Sequence, residues 1–147
     1  PNHLVREVIG LLDPEIHRHG VRLRLDLDEQ IPSVLVDSVQ IEQVILNLVR
    51  NGVEAMEANT ADDRPLTIRT QPGEAGRVCI TVQDAGTGVS DEQLDRIFEP
   101  FYTTKSAGMG MGLNISQSIA QANSGRLWAE RNSDRGMSFH LALPTAD

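Results

Sequence analysis

The segment Leu66-Thr67-Ile68-Arg69-Thr70-Gln71-Pro72-Gly73-Glu74-Ala75-Gly76-Arg77-Val78-Cys79-Ile80-Thr81-Val82-Gln83 carries two strand signals in direct succession. β-branched residues crowd both arms, near 66–70 and 78–83, and the Pro- and Gly-containing link between them reads as a hairpin-like turn. No helix separates the two. Upstream, residues 38–58 form the strongest helix signal: Ile41, Val44, Ile45, Leu48, Gly52, Ala55 and Met56 share one face at a period of 3.6, with Asp37 or Ser38 as N-cap. Further upstream lie a helix over 5–18, bent at Pro14 and stopped by Gly20, then an alternating strand over 21–27 and a short strand over 34–36. Downstream come a short helix over 91–98, a Gly- and Thr-rich stretch over 103–112, a helix over 113–122, and strands near 126–131 and 137–143. Helices and neighbouring strand pairs mix without a strict βαβ alternation. That predicts an α+β fold, a two-layer α/β sandwich, and not a doubly wound parallel sheet.

The 147 residues suit one domain with one core, and 39% hydrophobic with 23% charged residues is a soluble globular composition. Aromatics make up only 3%, so Leu, Ile, Val and Ala must build the core. A net charge of −8 speaks against a nucleic-acid partner, whose phosphates call for a basic surplus. Nucleotide binding needs only local donors and a metal ion, and stays open. Cys79 is the sole cysteine, which excludes an internal disulfide, fits a reducing cytoplasm, and marks a structural strand residue. No apolar run reaches the ~18 residues of a membrane span and no signal-peptide pattern opens the chain, so no direct membrane contact is expected. The absence of an initial Met suggests that Pro1 is the edge of an excised monomeric fragment whose parent could be soluble or membrane-anchored.

Three short motifs carry chemistry. In Asn47-Leu48-Val49-Arg50-Asn51-Gly52, two asparagines one helical turn apart flank the apolar face, although Asn is a poor mid-helix residue. An amide oxygen there is a neutral, hard ligand suited to Mg²⁺ that already carries phosphate oxygens. In Asp84-Ala85-Gly86-Thr87-Gly88, alternation puts Asp84 on the face of Val78, Ile80 and Val82, where a carboxylate needs a donor such as the exocyclic amine of adenine. Gly108-Met109-Gly110-Met111-Gly112-Leu113 runs into a helix, and bare amides at a helix N-terminus suit a phosphate. Its spacing is neither that of a dinucleotide fingerprint nor that of a P-loop. Between the second and third motifs, Phe98 and Phe101 read as anchors of a lid, and Lys105 is its one cation, able to reach a terminal phosphate.

In order, N-L-V-R-N, D-A-G-T-G, F-E-P-F, G-M-G-M-G-L, and G-M-S-F before a final Leu-Pro resemble the N, G1, F, G2 and G3 boxes of sensor histidine kinases. These belong to a superfamily that includes gyrase, Hsp90 and MutL-type ATPases. The run Pro100-Phe101-Tyr102-Thr103-Thr104-Lys105 is similar to one in the oxygen-sensing kinases of nitrogen-fixation control, and the resemblance spans about residues 38–144. It implies a mixed sheet packed on three helices, with ATP held between the helices and a flexible lid. By position it makes Asn51 the Mg²⁺ ligand, Asn47 the supporting N-box residue in catalysis with Lys105, and Asp84 the adenine-reading carboxylate. Gly86 and Gly88 match the G1 glycines, and Gly108, Gly110 and Gly112 those of G2. Arg50, Ala55, Val89, Phe98, Thr104, Met109, Met111, Leu113 and Ser138 complete the implied ATP-binding set. Ser138 stands where Thr is common, and alternation alone does not say which strand face meets the nucleotide. Asn123-Ser124 replaces a usual His-Gly. Glu54 stands where some relatives have Lys, and is expected to pair with Arg50 at i,i+4.

The hydrolytic members of the superfamily place a Glu one turn before the metal Asn to activate water. Here that residue is Asn47, which takes no proton near neutral pH. The expected activity is therefore transfer of the γ-phosphoryl group of Mg²⁺-ATP to a histidine on a separate dimerisation domain of the same kinase, with a response regulator downstream. None of His3, His17, His19 and His140 has the acceptor context of a following Glu/Asp and a downstream Pro. His17 and His19 diverge on a helix and make no metal site, and His140 is expected on a strand face without chemistry. The alternatives are a degenerate nucleotide-binding module and an ATPase of the same superfamily.

Overall fold

Leu23, Leu25 and Leu27 alternate with Arg22, Arg24 and Asp26, and this period of two gives the first strand an apolar and a charged face. The computed structural model describes residues 1–57, 59–60, 63–74, 76–86, 91–94, 96–98, 109–133 and 135–145, leaving out the side chains of 91, 93 and 109–112. Its elements are α1 (Asn2–Arg18), β1 (Arg22–Leu27), α2 (Ser38–Ala55), β2 (Pro65–Pro72), β3 (Arg77–Gln83), α3 (Asp91–Leu94), α4 (Met109–Ala122), β4 (Arg126–Arg131) and β5 (Met137–Pro144). The sheet runs β1-β2-β3-β5-β4. β1 pairs with β2 in parallel, and the other three pairings are antiparallel, so the sheet is mixed.

Residues directly paired across strands share a face. Ile68, Val82 and Phe139 are so aligned, as are Ile80, Leu141 and Leu127, and both rows lie in the core. They meet Val5, Val8, Leu12 and Ile16 of α1, Ile41, Val44, Ile45 and Leu48 of α2, and Leu113 and Ala120 of α4. Fully burying one such aliphatic side chain is worth about 1.5–3 kcal/mol, which is how an aromatic-poor chain holds its layers together. The opposite face carries Arg69, Thr81, His140 and Trp128 in one row.

Two interhelical contacts set the layer's direction. Asn47 Nδ2 donates to Ser116 Oγ at 3.0 Å and Asn123 Nδ2 to Gln40 Oε1 at 3.1 Å, so α4 runs antiparallel to α2. This turns the start of α4 toward the Asn51 end of α2. Asp37 is the N-cap of α2, its carboxylate accepting from Gln40 N–H.

Several expected boundaries move. α1 begins at Asn2, whose side chain is buried: Nδ2 donates to Asp28 O at 2.9 Å and Oδ1 accepts from Thr70 Oγ1 at 2.7 Å. The expected strand over 34–36 is a single bridge, Val34 to Thr145. α2 ends at Ala55, and position 58 lies outside the described residues. α4 begins at Met109 and not at Leu113. Leu113 and Ala120 are anchored in the core and Ser116 is tied to Asn47, and a helix nucleated there propagates backward through the glycines at one hydrogen bond per residue.

Candidate functional site

Asp84 is the first residue past β3, and its N–H still reaches Met137 O at 3.0 Å, so the strand alternation holds for one more step. The side chain thus falls on the helix side of the sheet and is buried, at 4% exposure. Its Oδ1 accepts the Gly86 N–H at 2.9 Å and the Met137 N–H at 3.2 Å. Two backbone donors on one oxygen fix the rotation of the carboxylate and offset part of its burial cost.

Two glycines leave it room. A Cβ at Gly52 of α2 would stand 2.8 Å from Leu66 Cδ1 and 3.9 Å from Asp84 Oδ2, so the helix backbone passes directly over the strand end. A Cβ at Gly86 would land on the Ala55 carbonyl, which brings the loop after Asp84 against the C-terminus of α2. The result is a fixed acceptor beside a wall of bare backbone, able to take a flat ring bearing an amine.

Asn47 and Asn51 lie one turn apart on α2. Asn47 is committed to Ser116 of α4. Asn51 is half-buried, and its amide makes no hydrogen bond to another described residue. A neutral oxygen of this kind fits a hard cation whose remaining ligands are phosphate and water. The first turn of α4, Met109 to Gly112, contains backbone N–H groups that have no carbonyl partner within the helix.

Arg50 is placed elsewhere. Its guanidinium bonds Glu15 of α1 at 3.0 and 3.4 Å, so the expected Arg50–Glu54 pair does not form and Arg50 turns toward α1. A bidentate tertiary partner outcompetes a neighbour on the same helix, whose pairing is worth only a few tenths of a kcal/mol. Arg50, Glu15, His19, Val53, Glu54 and Glu57 line a cavity of about 200 Å³ on that flank, and its carboxylates would repel a phosphate.

Ser138 requires a correction. It pairs with Gln83 and Glu130, on the face away from the helices, and its Oγ donates to Asn132 Oδ1 at 2.5 Å. Its neighbour Met137 shares the helix side with Phe139 and is buried; its carbonyl accepts the Asp84 N–H and its own N–H donates to the Asp84 carboxylate. The position beside the carboxylate is therefore Met137, which the sequence reading missed. Only the β3–β5 register, with Gln83 opposite Ser138, reveals it.

The remaining expected residues divide in two. Ala55 meets Gly86, Leu113 is buried in the core, and Phe98 packs edge-on against Phe139 at 6.5 Å. The backbones of Met109, Gly110, Met111 and Gly112 lie in α4. Gly88, Val89, Phe101, Thr104, Lys105 and Gly108 lie outside the described residues, as does the lid over 103–108. On the open face His140 bonds Thr81 at 2.9 Å and stacks on Trp128 at 5.2 Å.

Residues 36–147 match the family of histidine kinase-, DNA gyrase B-, and HSP90-like ATPases. The chain is 43% identical over 144 residues to the sensor protein FixL of Bradyrhizobium diazoefficiens, covering 98% of this chain and 28% of that protein. The catalytic domain of histidine kinase ThkA superposes with a TM-score of 0.85 at 31% identity, over 98% of this chain and 91% of that one. Histidine kinase ThkA in complex with response regulator protein TrrA gives a TM-score of 0.81 at 29% identity, over 99% of this chain and 40% of that one. The chain spans about a quarter of the length of the curated relatives it matches. No helix among the described residues is long and apolar enough to cross a membrane. With the mixed five-stranded sheet, the N-box helix and the fixed Asp84 carboxylate, this chain belongs to the histidine kinase-, DNA gyrase B- and HSP90-like ATPase family and takes its place there among the catalytic domains of bacterial sensor histidine kinases.

Proposed function

We propose that this domain binds ATP with Mg²⁺ and donates the γ-phosphoryl group to a histidine on a separate dimerisation domain of the same kinase, with a response regulator acting downstream. The observation that carries the reading is the Asp84 carboxylate, held by the N–H groups of Gly86 and Met137 beside Gly52 of α2. A carboxylate accepts from the amine of adenine and has no donor for the oxygen that guanine presents at the same place. Asn51 holds the metal through its amide oxygen, and the amides opening α4 take phosphate oxygens. Bound Mg²⁺ supplies charge neutralisation at the phosphates.

The side chain one turn before Asn51 argues against hydrolysis. Asn47 is an amide engaged with Ser116, and it cannot take a proton from water. The site therefore positions ATP and waits for a nucleophile from another domain, which is where most catalysis of phosphoryl transfer lies. The response regulator in complex with ThkA supports that downstream partner.

The test is incubation with γ-labelled ATP, alone and with the histidine-bearing dimerisation domain of the parent kinase. Label is expected on the added domain and not on this chain. Label on the chain alone, or brisk phosphate release without the added domain, contradicts the reading. An unlabelled partner despite tight ATP binding favours a binding module without kinase activity.

A further inference from the structure

Pairing of β3 ends at Gln83, opposite Ser138 of β5 and Thr67 of β2, so among the described residues the carbonyls of Asp84 and Ala85 take no ladder bond. Two asparagine amides meet them. Asn132 Nδ2 donates to Asp84 O at 2.9 Å, and Asn59 Nδ2 donates to Ala85 O at 2.9 Å. Asn59 also reaches Asp63 O at 2.8 Å. Asn132 is itself oriented from both ends. Its N–H bonds Gly136 O at 3.0 Å, and its Oδ1 accepts the Ser138 hydroxyl at 2.5 Å. Gly136, at φ +83°, carries the turn so close to Asp84 that a Cβ would collide with the Asp84 carbonyl. An asparagine amide thus replaces a missing ladder bond at the residue that presents the carboxylate.

We propose that Asn132, oriented by Ser138, is a positioning residue for base selectivity: it fixes the Asp84 backbone and so sets where the carboxylate meets the base. The inference rests on Asp84 reading adenine. Ser138 then acts from the open face of the sheet, through Asn132, and does not touch the nucleotide. If the amide is lost, the Asp84 carbonyl loses the donor that fixes it and the peptide shifts, taking the carboxylate with it. The expected phosphate and metal contacts come from α2 and α4, so they stay in place, and the damage falls on base discrimination.

The test titrates ATP and GTP, each with Mg²⁺, into the wild-type chain and into Asn132→Asp, Ser138→Ala, Ser138→Thr and Asp84→Asn, with thermal melting of each. Asn132→Asp keeps the size and the acceptor for Ser138 and removes the donor. The ATP-over-GTP preference should fall about fivefold in Asn132→Asp, as expected for one hydrogen bond, with the Mg²⁺ dependence of ATP binding unchanged. Ser138→Ala should show a smaller fall, and Ser138→Thr should keep the preference. An unchanged preference in Asn132→Asp while Asp84→Asn loses its own overturns the positioning role. Equal weakening of ATP and GTP in Asn132→Asp marks a merely structural residue and also overturns it. If Asp84→Asn still prefers ATP, the adenine reading falls and this inference with it. Should Asn132→Asp not fold, Ser138→Ala decides, and an unchanged preference there is the contrary result.

Discussion

Asp84 on one face of the sheet and His140 on the other are both polar groups in a mostly apolar strand environment, and they are held in opposite ways. Asp84 is gripped by backbone: two N–H groups on one carboxylate oxygen, with glycines opposite. His140 is gripped by side chains: Thr81 Oγ1 at 2.9 Å, Glu130 at 3.4 Å, and the Trp128 ring beneath it, itself covered by the Arg126 guanidinium at 4.7 Å. Backbone donors cannot turn away, so they fix the orientation of whatever they hold. A side-chain cluster relaxes around a change and satisfies itself. The first arrangement presents chemistry to a ligand, and the second closes a surface.

The sharpest way to break this contrast is Asp84→Asn. Two N–H donors define the Oδ1 position, so the amide oxygen must take it and the NH₂ must take the other. The variant then offers a donor where adenine also has one, and suits the guanine oxygen. ATP affinity should fall about tenfold to a hundredfold with the preference reversed toward GTP, read by titration of both nucleotides. A retained ATP preference would remove the distinction between the faces.

Gly86→Ala comes next. Its Cβ would meet the Ala55 carbonyl, a backbone atom with little freedom, so about 1–3 kcal/mol of stability should be lost in denaturant unfolding together with nucleotide binding. Wild-type stability would show that α2 and the Asp84 loop are not in contact. Asn51→Ala should have a narrower effect: the Mg²⁺ dependence of ATP binding disappears while metal-free binding is kept. An intact Mg²⁺ dependence would take the metal away from Asn51.

The smallest effect belongs to the open face. Burial holds the His140 pKa below its ordinary value of 6.5, with Glu130 pulling it partly back. The folded chain therefore takes up this proton less readily than the unfolded chain. Stability is complete above about pH 6.5 and declines as pH falls from there to the folded value. His140→Gln should flatten that part of the melting-temperature curve and leave ATP binding unchanged. A changed nucleotide affinity would join the two faces.

Periodic elements were legible in the sequence. The apolar stripe of α2 and the alternation of β1 and β3 follow from local spacing, and Asp84 could be put on its correct face by counting along β3. What spacing does not contain is register. Ser138 and Met137 exchange roles because only the pairing of Gln83 with Ser138 says which faces the helices. Arg50 went to Glu15 because a partner 35 residues away offered two hydrogen bonds. The glycines at 110 and 112 suggested a loop, and tertiary anchoring of Leu113 and Ser116 made helix of them. Asn59 and Asn132 carry no signal at all in sequence, since their role exists only where two strands part.

The most direct measurement is calorimetric titration of the wild-type chain with Mg²⁺-ATP and with Mg²⁺-GTP. A buried acceptor left without a donor costs roughly 1–3 kcal/mol, so ATP should bind about tenfold tighter or more. Equal affinity for the two nucleotides would contradict the account, because the fixed carboxylate at Asp84 would then not be reading the base.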